Sequence, residues 1–200
     1  MQAVITGDII NSSSIKNRDT LIKRLKQEFT QLEKVKSNSF SLYRGDAFQG
    51  ICQAKDAFII YMKIKALLVN KESDVRIAIG IGPIEHMKKN LAESDGTAFR
   101  LSGRTLDNLK PENKKFMIKT MSEEINKELE LECSMLDALL SNWSVKSTEV
   151  IYHVLEDKTQ LEIAELLGIS QSAVQQRLKT ANWPIIELFM KRYEEIVKQL

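Results

Sequence analysis

Read along the chain, the apolar positions change period several times. "AVITGDII", Ala3–Ile10, is a branched, strand-length run that gives way to a polar "NSSS" loop. From Asn17 to Lys36, the residues Leu21, Ile22, Leu25, Phe29, Leu32 and Val35 recur at helical spacing, with lysines on the opposite face. "SFSLYR" and "AFQGIC" alternate on either side of Gly45-Asp46 and read as paired strands. Asp56 to Val69 is helical again, through Ala57, Phe58, Tyr61, Ile64, Lys65 and Leu68. "VRIAIGIG", Val75–Gly82, reads as a strand stopped by Gly82-Pro83, and residues 84–96 as a polar loop. "GTAFRLSGRTLDNL" predicts a short helix and "KKFMIKT" a last strand. The order strand, helix, strand, strand, helix, strand is the split βαβ, or ferredoxin-like, arrangement. Parallel strands need helical crossovers, so the helices are expected on one face of the sheet.

After Thr120 the character changes. "MSEEINKELELECSMLDALLSNW" is acidic and helical, and is expected to link the sheet domain to a small helical one. In "KTQLEIAELLGISQSAVQQRLKTA", Thr159 and Glu162 form a capping box, and Leu161, Ile163, Ala164 and Leu167 an apolar face. Gly168 permits the left-handed turn that ends this helix, and Ser170 caps the next, where Ala173, Val174 and Leu178 face inward. Ile151–Leu155 predicts a supporting helix and Trp183 onward a closing one. The expected fold is α+β: a sheet domain over 1–120, then a helical linker and an all-α helix-turn-helix domain over 121–200.

Composition is that of a globular chain, 43% hydrophobic and 28% charged, and the net charge of +2 names no partner. The halves differ: residues 1–110 carry 18 basic against 12 acidic side chains, and residues 111–200 carry 11 against 15. Cys52 and Cys133 are too few and too far apart for a disulfide framework or a zinc site. The N-terminus lacks a basic leader and no apolar run reaches the roughly 20 residues of a membrane span, so a cytoplasmic protein is expected. His86 and His153 have no acidic or thiol partner at ligand spacing and read as a surface residue and a helix residue.

The candidate chemistry is a pair of acids. Asp8 lies near the end of the first strand and Asp46 at the tip of the hairpin, after Arg44 and Gly45. In the ferredoxin-like topology both reach one edge of the sheet. Converging carboxylates repel unless a cation sits between them. Mg²⁺ (or Mn²⁺) suits that place, since it takes one or two carboxylates and completes its shell with phosphate oxygens. Gly7 and Gly45, one before each acid, allow a phosphate close to the backbone. The alternative is turn chemistry, with Asp8 before "NSSS" and Asp46 a plain hairpin residue.

The set "VITGDIINS", "YRGDAFQ", "VRIAIGIG" and "GTAFRLSGRTL" resembles the core motifs of the class III nucleotide cyclases, relatives of GGDEF domains and polymerase palms. More closely, the pattern over about residues 1–120 resembles the SatD family of small bacterial proteins. The cyclase resemblance implies a palm/cyclase-like fold, with Asp8 and Asp46 as metal ligands. It also implies that Arg104, after Gly96, stabilises a phosphate. Arg100 stands where that pattern has Asn, and residues 100 and 104 share a helix face, a pair of guanidiniums suited to a polyphosphate.

The C-terminal motif is similar to helix-turn-helix domains of sigma-factor region four. On that reading Gln171, Ser172, Gln175, Gln176 and Lys179 face a DNA groove, and Arg177 holds a phosphate. The acidic balance of this half opposes it, and leaves dimerisation or protein contact as the alternative use. The leading expectation is a homodimeric DNA-binding regulator whose cyclase-like domain binds a nucleotide or phosphate ligand with Mg²⁺. Its rivals are an active nucleotidyl cyclase or transferase with a helical oligomerisation tail, and a catalytically dead scaffold.

Overall fold

The computed structural model of the chain describes all residues except Arg44, Lys71 and Lys89. Its sheet is built from β1 (Gln2–Ile10), β2 (Ser39–Tyr43), β3 (Ala47–Gln53), β4 (Asp74–Gly82) and β5 (Phe116–Lys119). They lie in the order β2-β3-β1-β4-β5. The β2–β3, β3–β1 and β1–β4 pairs are antiparallel, and β4–β5 is parallel. The first four strands have the expected ferredoxin-like order, and the fifth extends the sheet beyond it.

Helices α1 (Arg18–Leu32) and α2 (Ala57–Leu68) join these strands. Their apolar stripes pack into one cluster with Ile5, Ile9, Phe48, Ile77 and Phe116. Helix α3 (Thr97–Leu109) does not join them: Ala98 and Phe99 pack with Val4 and Ile51, on the other side of the alternating strands. The expectation of helices on a single face is therefore corrected. Space dictates the placement. One face of β4 is already covered by α2, whereas the other carries Gly80, where a Cβ would run into the Ala98 carbonyl and the Ser102 amide. The steps β3→β4 and β4→β5 cross the sheet in one direction between parallel strands, with α2 and α3 on opposite faces. The two crossovers thus have opposite hands, and the right-handed rule holds for only one of them. The intervening segment is tied down by a His86–Asp95 bridge and by Leu91, buried against the α3 face.

The remaining helices are α4 (Glu123–Leu140), α5 (Val145–Val154), α6 (Gln160–Leu167), α7 (Gln171–Thr180) and α8 (Trp183–Gln199). Ser122, Ser144, Thr159 and Ser170 each accept a first-turn amide at the starts of α4 to α7. The predicted capping box is present at Thr159–Glu162, and Gly168 is left-handed (φ 63°) between α6 and α7. These helices share the core of the sheet. Leu129, Cys133 and Leu136 of α4 belong to the same cluster as Phe116 and Ile118. From α8, Phe189 meets Phe58 at 4.6 Å between ring centroids, and the Tyr193 hydroxyl donates to the Ala54 carbonyl (2.6 Å). Among the described residues no helix is long and apolar enough to cross a membrane.

Candidate functional site

The register of the central strands brings the two acids together. Asp8 lies opposite Ala47 of β3 on one side and Arg76 of β4 on the other. Asp46 immediately precedes Ala47, and the Ile9 amide donates to its carbonyl (3.0 Å). The hairpin therefore delivers Asp46 to the strand edge where Asp8 stands. Gly45 makes the tip possible: its φ of +81° favours glycine, and a Cβ there would sit 2.8 Å from Arg18 Nη2.

Three residues that the sequence reading did not select complete this edge. Arg76 Nη1 donates to both carboxylate oxygens of Asp8 (2.9 and 3.2 Å). Ser12 Oγ donates to Asp46 Oδ2 (2.6 Å). Arg18 Nη2 donates to the Gly45 carbonyl (3.1 Å), anchoring the tip to the start of α1. Arg76 carried a signal, as the one charge inside "VRIAIGIG". Arg18 carried a weaker one, a cation in a first helical turn, where the helix dipole favours anions. Ser12 had none beyond its polar loop. A polar strip continues inward on the α3 face: Gln49 Nε2 donates to Thr6 Oγ1 (3.2 Å), and the Thr6 and Ser102 hydroxyls pair at 2.9 Å.

The edge fits a cation with a phosphate better than a cation alone. Two neighbouring carboxylates match what Mg²⁺ takes from a protein when phosphate supplies further oxygens. Among the described residues no group of three His, Cys, Asp or Glu side chains converges as a metal cage would. The Nε atoms of Arg18 and Arg76 are buried without a hydrogen-bond partner among the described residues. Orphaned guanidinium donors beside two acids suit an incoming anion.

The other predicted residues are distributed differently. Gly7 leaves room for Phe48, whose ring would lie 2.5 Å from a Cβ there, so packing accounts for this glycine. Arg44 lies outside the described residues. Arg100 holds both oxygens of Asp95 (3.0 Å each) and reaches Glu85 (3.4 Å), clasping the loop before α3. Arg104 is exposed and makes no ion pair or hydrogen bond among the described residues. Both arginines line a recess of about 320 Å³ with Lys119 and Asn126, on the β5 side of α3. Neither meets Asp8 or Asp46 within one chain.

On α7, Gln171, Ser172, Gln175, Gln176 and Lys179 are exposed. Arg177 turns toward α5, where Nη1 donates to the Lys146 carbonyl (3.3 Å) and lies 3.5 Å from Glu149.

A second charge cluster lies deeper. Lys65 of α2 is fully buried and holds Asp74 at 2.6 Å, and Lys115 reaches the other Asp74 oxygen at 2.8 Å. Burial pushes the Lys65 ammonium down from its ordinary pKa, against the opposing pull of Asp74. Burial acts to raise Asp74, but the charge of Lys65 and hydrogen bonds from Lys115, Lys65 and Val75 outweigh it, so its pKa is lowered. Burial raises the neighbouring Asp137 of α4, which accepts the Lys115 amide (2.7 Å).

Solved structures similar to part of this chain include two nucleotide cyclases. The active GGEEF domain of a diguanylate cyclase from Vibrio cholerae is 14% identical, with a TM-score of 0.41, over 61% of this chain and 83% of its own. A bacterial light-regulated adenylyl cyclase is 12% identical, with a TM-score of 0.37, over 58% of this chain and 74% of its own. No curated protein matches the sequence. The SatD family model matches residues 2–197, nearly the whole chain, and with that span the protein belongs to the SatD family.

Proposed function

We propose that this protein binds a nucleotide or other phosphate ligand together with Mg²⁺ or Mn²⁺ at the Asp8–Asp46 edge. The observation that carries this reading is the adjacent register of Asp8 and Asp46, with Arg76 on Asp8, Arg18 on the neighbouring Gly45 carbonyl, and both arginine Nε donors unpartnered among the described residues. Asp8 and Asp46 would hold the cation, and Arg18 and Arg76 would take phosphate oxygens in forked hydrogen bonds. The cation's contribution, when bound, is to neutralise phosphate charge. Melting with each nucleoside triphosphate plus Mg²⁺ or Mn²⁺ tests the reading, because a ligand of the folded state raises the transition. The gain should vanish in Asp46→Asn, and an equal gain in that variant returns Asp46 to its turn.

The same reading makes the protein a cytoplasmic, dimeric regulator in which α6 and α7 form a DNA-reading helix-turn-helix. The capping box, the left-handed Gly168 and the exposed row Gln171, Ser172, Gln175, Gln176 and Lys179 support it. Selection from a random DNA pool, with and without nucleotide, should enrich a sequence. Recovery of none favours a protein-contact role for these helices. The enzyme alternative, a nucleotidyl cyclase or transferase, draws on the Arg104 guanidinium, which is exposed and unpaired among the described residues. Efficient cyclic product, lost in Arg104→Ala, would put that alternative first.

A further inference from the structure

We propose that Arg76 is a built-in counter-ion that keeps a divalent cation off Asp8 until a phosphate draws the guanidinium away, so that cation and phosphate bind as a unit. The inference rests on the phosphate–metal reading of this edge and adds an order to it. Arg76 projects from β4, directly across from Asp8 in the register, and its side chain is only 14% exposed against 34% for Asp8. Its Nη1 spans both Asp8 oxygens, so each carboxylate oxygen already faces a positive charge.

Asp8 is paired with Arg76, Asp46 is engaged by Ser12, and Arg18 holds the adjacent Gly45 carbonyl. A lone divalent cation at Asp8 therefore meets a carboxylate whose charge is already compensated. It also has to displace a guanidinium that would then stand close to it with the same sign of charge. A phosphate changes both terms. It brings further negative charge, and it offers Arg76 a pair of oxygen acceptors in place of those it gives up on Asp8. The orphaned Nε of Arg76 is a further donor for that exchange. Asp8 is then released to the cation. By linkage the effect is reciprocal: phosphate tightens cation binding by the factor by which the cation tightens phosphate.

The test is Mn²⁺ binding to the full chain, followed by electron paramagnetic resonance of the free ion at constant ionic strength. Wild type should bind Mn²⁺ weakly alone. Arg76→Met and Arg76→Gln should bind it about tenfold tighter or more, within the usual range of coupling between sites. Arg76→Lys keeps the charge and should stay near wild type, and adding Asp8→Asn to Arg76→Met should abolish the gain. With inorganic phosphate present, and a protein-free sample correcting for complexation in solution, wild-type affinity should rise and that of Arg76→Met should not. Equal Mn²⁺ affinity of wild type and both neutral variants overturns the counter-ion role while leaving the metal site in place. Mn²⁺ bound by no variant, with or without nucleoside triphosphate, overturns the metal site itself. Should both neutral variants fail to fold, the wild-type phosphate response decides, and its absence overturns the proposal.

Discussion

Strand β4 carries two charged residues two positions apart, Asp74 and Arg76, and their partners differ in burial and in number. At Asp74, Lys65 is fully buried, Lys115 closes the second carboxylate oxygen, and the Val75 amide donates to the first. At Arg76, the partner Asp8 is one-third exposed, one nitrogen carries the contact, and Nε has no acceptor among the described residues. The first arrangement has its charges compensated within the protein and cannot exchange partners without exposing an ion to a low-dielectric interior. The second is close to solvent and incompletely satisfied, so a ligand can replace one of its contacts at small cost. Perturbed titration alone points to the buried cluster. The shifts at Lys65, Asp74 and Asp137 mark the junction of α2, β4 and α4, which holds the C-terminal helices against the sheet.

The difference can be broken most directly at Asp74. Asp74→Ala strands the buried Lys65 charge and should cost about 3–5 kcal/mol of stability in urea unfolding. A loss below about 1 kcal/mol, the level of an exposed pair, would erase the distinction. Replacing both partners, Lys65→Met with Asp74→Leu, should recover most of that loss, because a buried ion pair is seldom better than well-packed apolar groups. A double variant as unstable as Asp74→Ala would show that the cluster acts as a larger network through Lys115 and Asp137.

The candidate site should respond far less. Asp8→Asn is expected to change unfolding stability by no more than about 1 kcal/mol, while removing the metal-dependent gain in melting temperature. A stability loss comparable with that of Asp74→Ala would make the Asp8–Arg76 pair a structural element instead. The smallest effect is at Asp137, whose carboxyl is raised above the ordinary range, chiefly by burial. The folded state holds this proton more tightly than the unfolded chain. Its stability contribution is therefore full below the ordinary carboxylate pKa, and is lost as pH rises through the raised value. Asp137→Asn keeps a carbonyl oxygen for the Lys115 amide and has no charge to lose. Its stability relative to wild type should improve as pH rises from acid toward neutral and then level off. A pH-independent difference would mean that Asp137 titrates normally.

The elements were legible wherever a period ran long enough. Strand alternation located the four strands of the ferredoxin-like order, and Thr159, Gly168 and Ser170 marked their helix ends through local hydrogen bonds that need no distant partner. The pattern overran at α1, which stops at Leu32 rather than Lys36. There the Asn38 side chain takes the Leu32 carbonyl (3.0 Å), and Val35 is left half exposed outside the stripe. Asp8 and Asp46 were also legible as neighbours, because strand order and hairpin register follow from the order of elements.

What the sequence by itself determined, then, is the local geometry: which segments are strands or helices, where capped helices begin, and that Asp8 and Asp46 lie at neighbouring positions of the first strand and the hairpin tip. Only the tertiary structure decided which charges those acids meet. Lys65 sits in the apolar stripe of its helix at the expected spacing, but that a lysine can be fully buried there depends on Asp74, delivered by another strand. Arg76 is the one charge within the apolar run Val75–Gly82 until register sets it against Asp8, 68 residues away. The side of the sheet taken by α3 depended on Gly80 leaving space and α2 having filled the other face. Period and capping are properties of neighbouring residues, whereas charge partners and layer choice are set by long-range packing, for which one sequence carries no local signal.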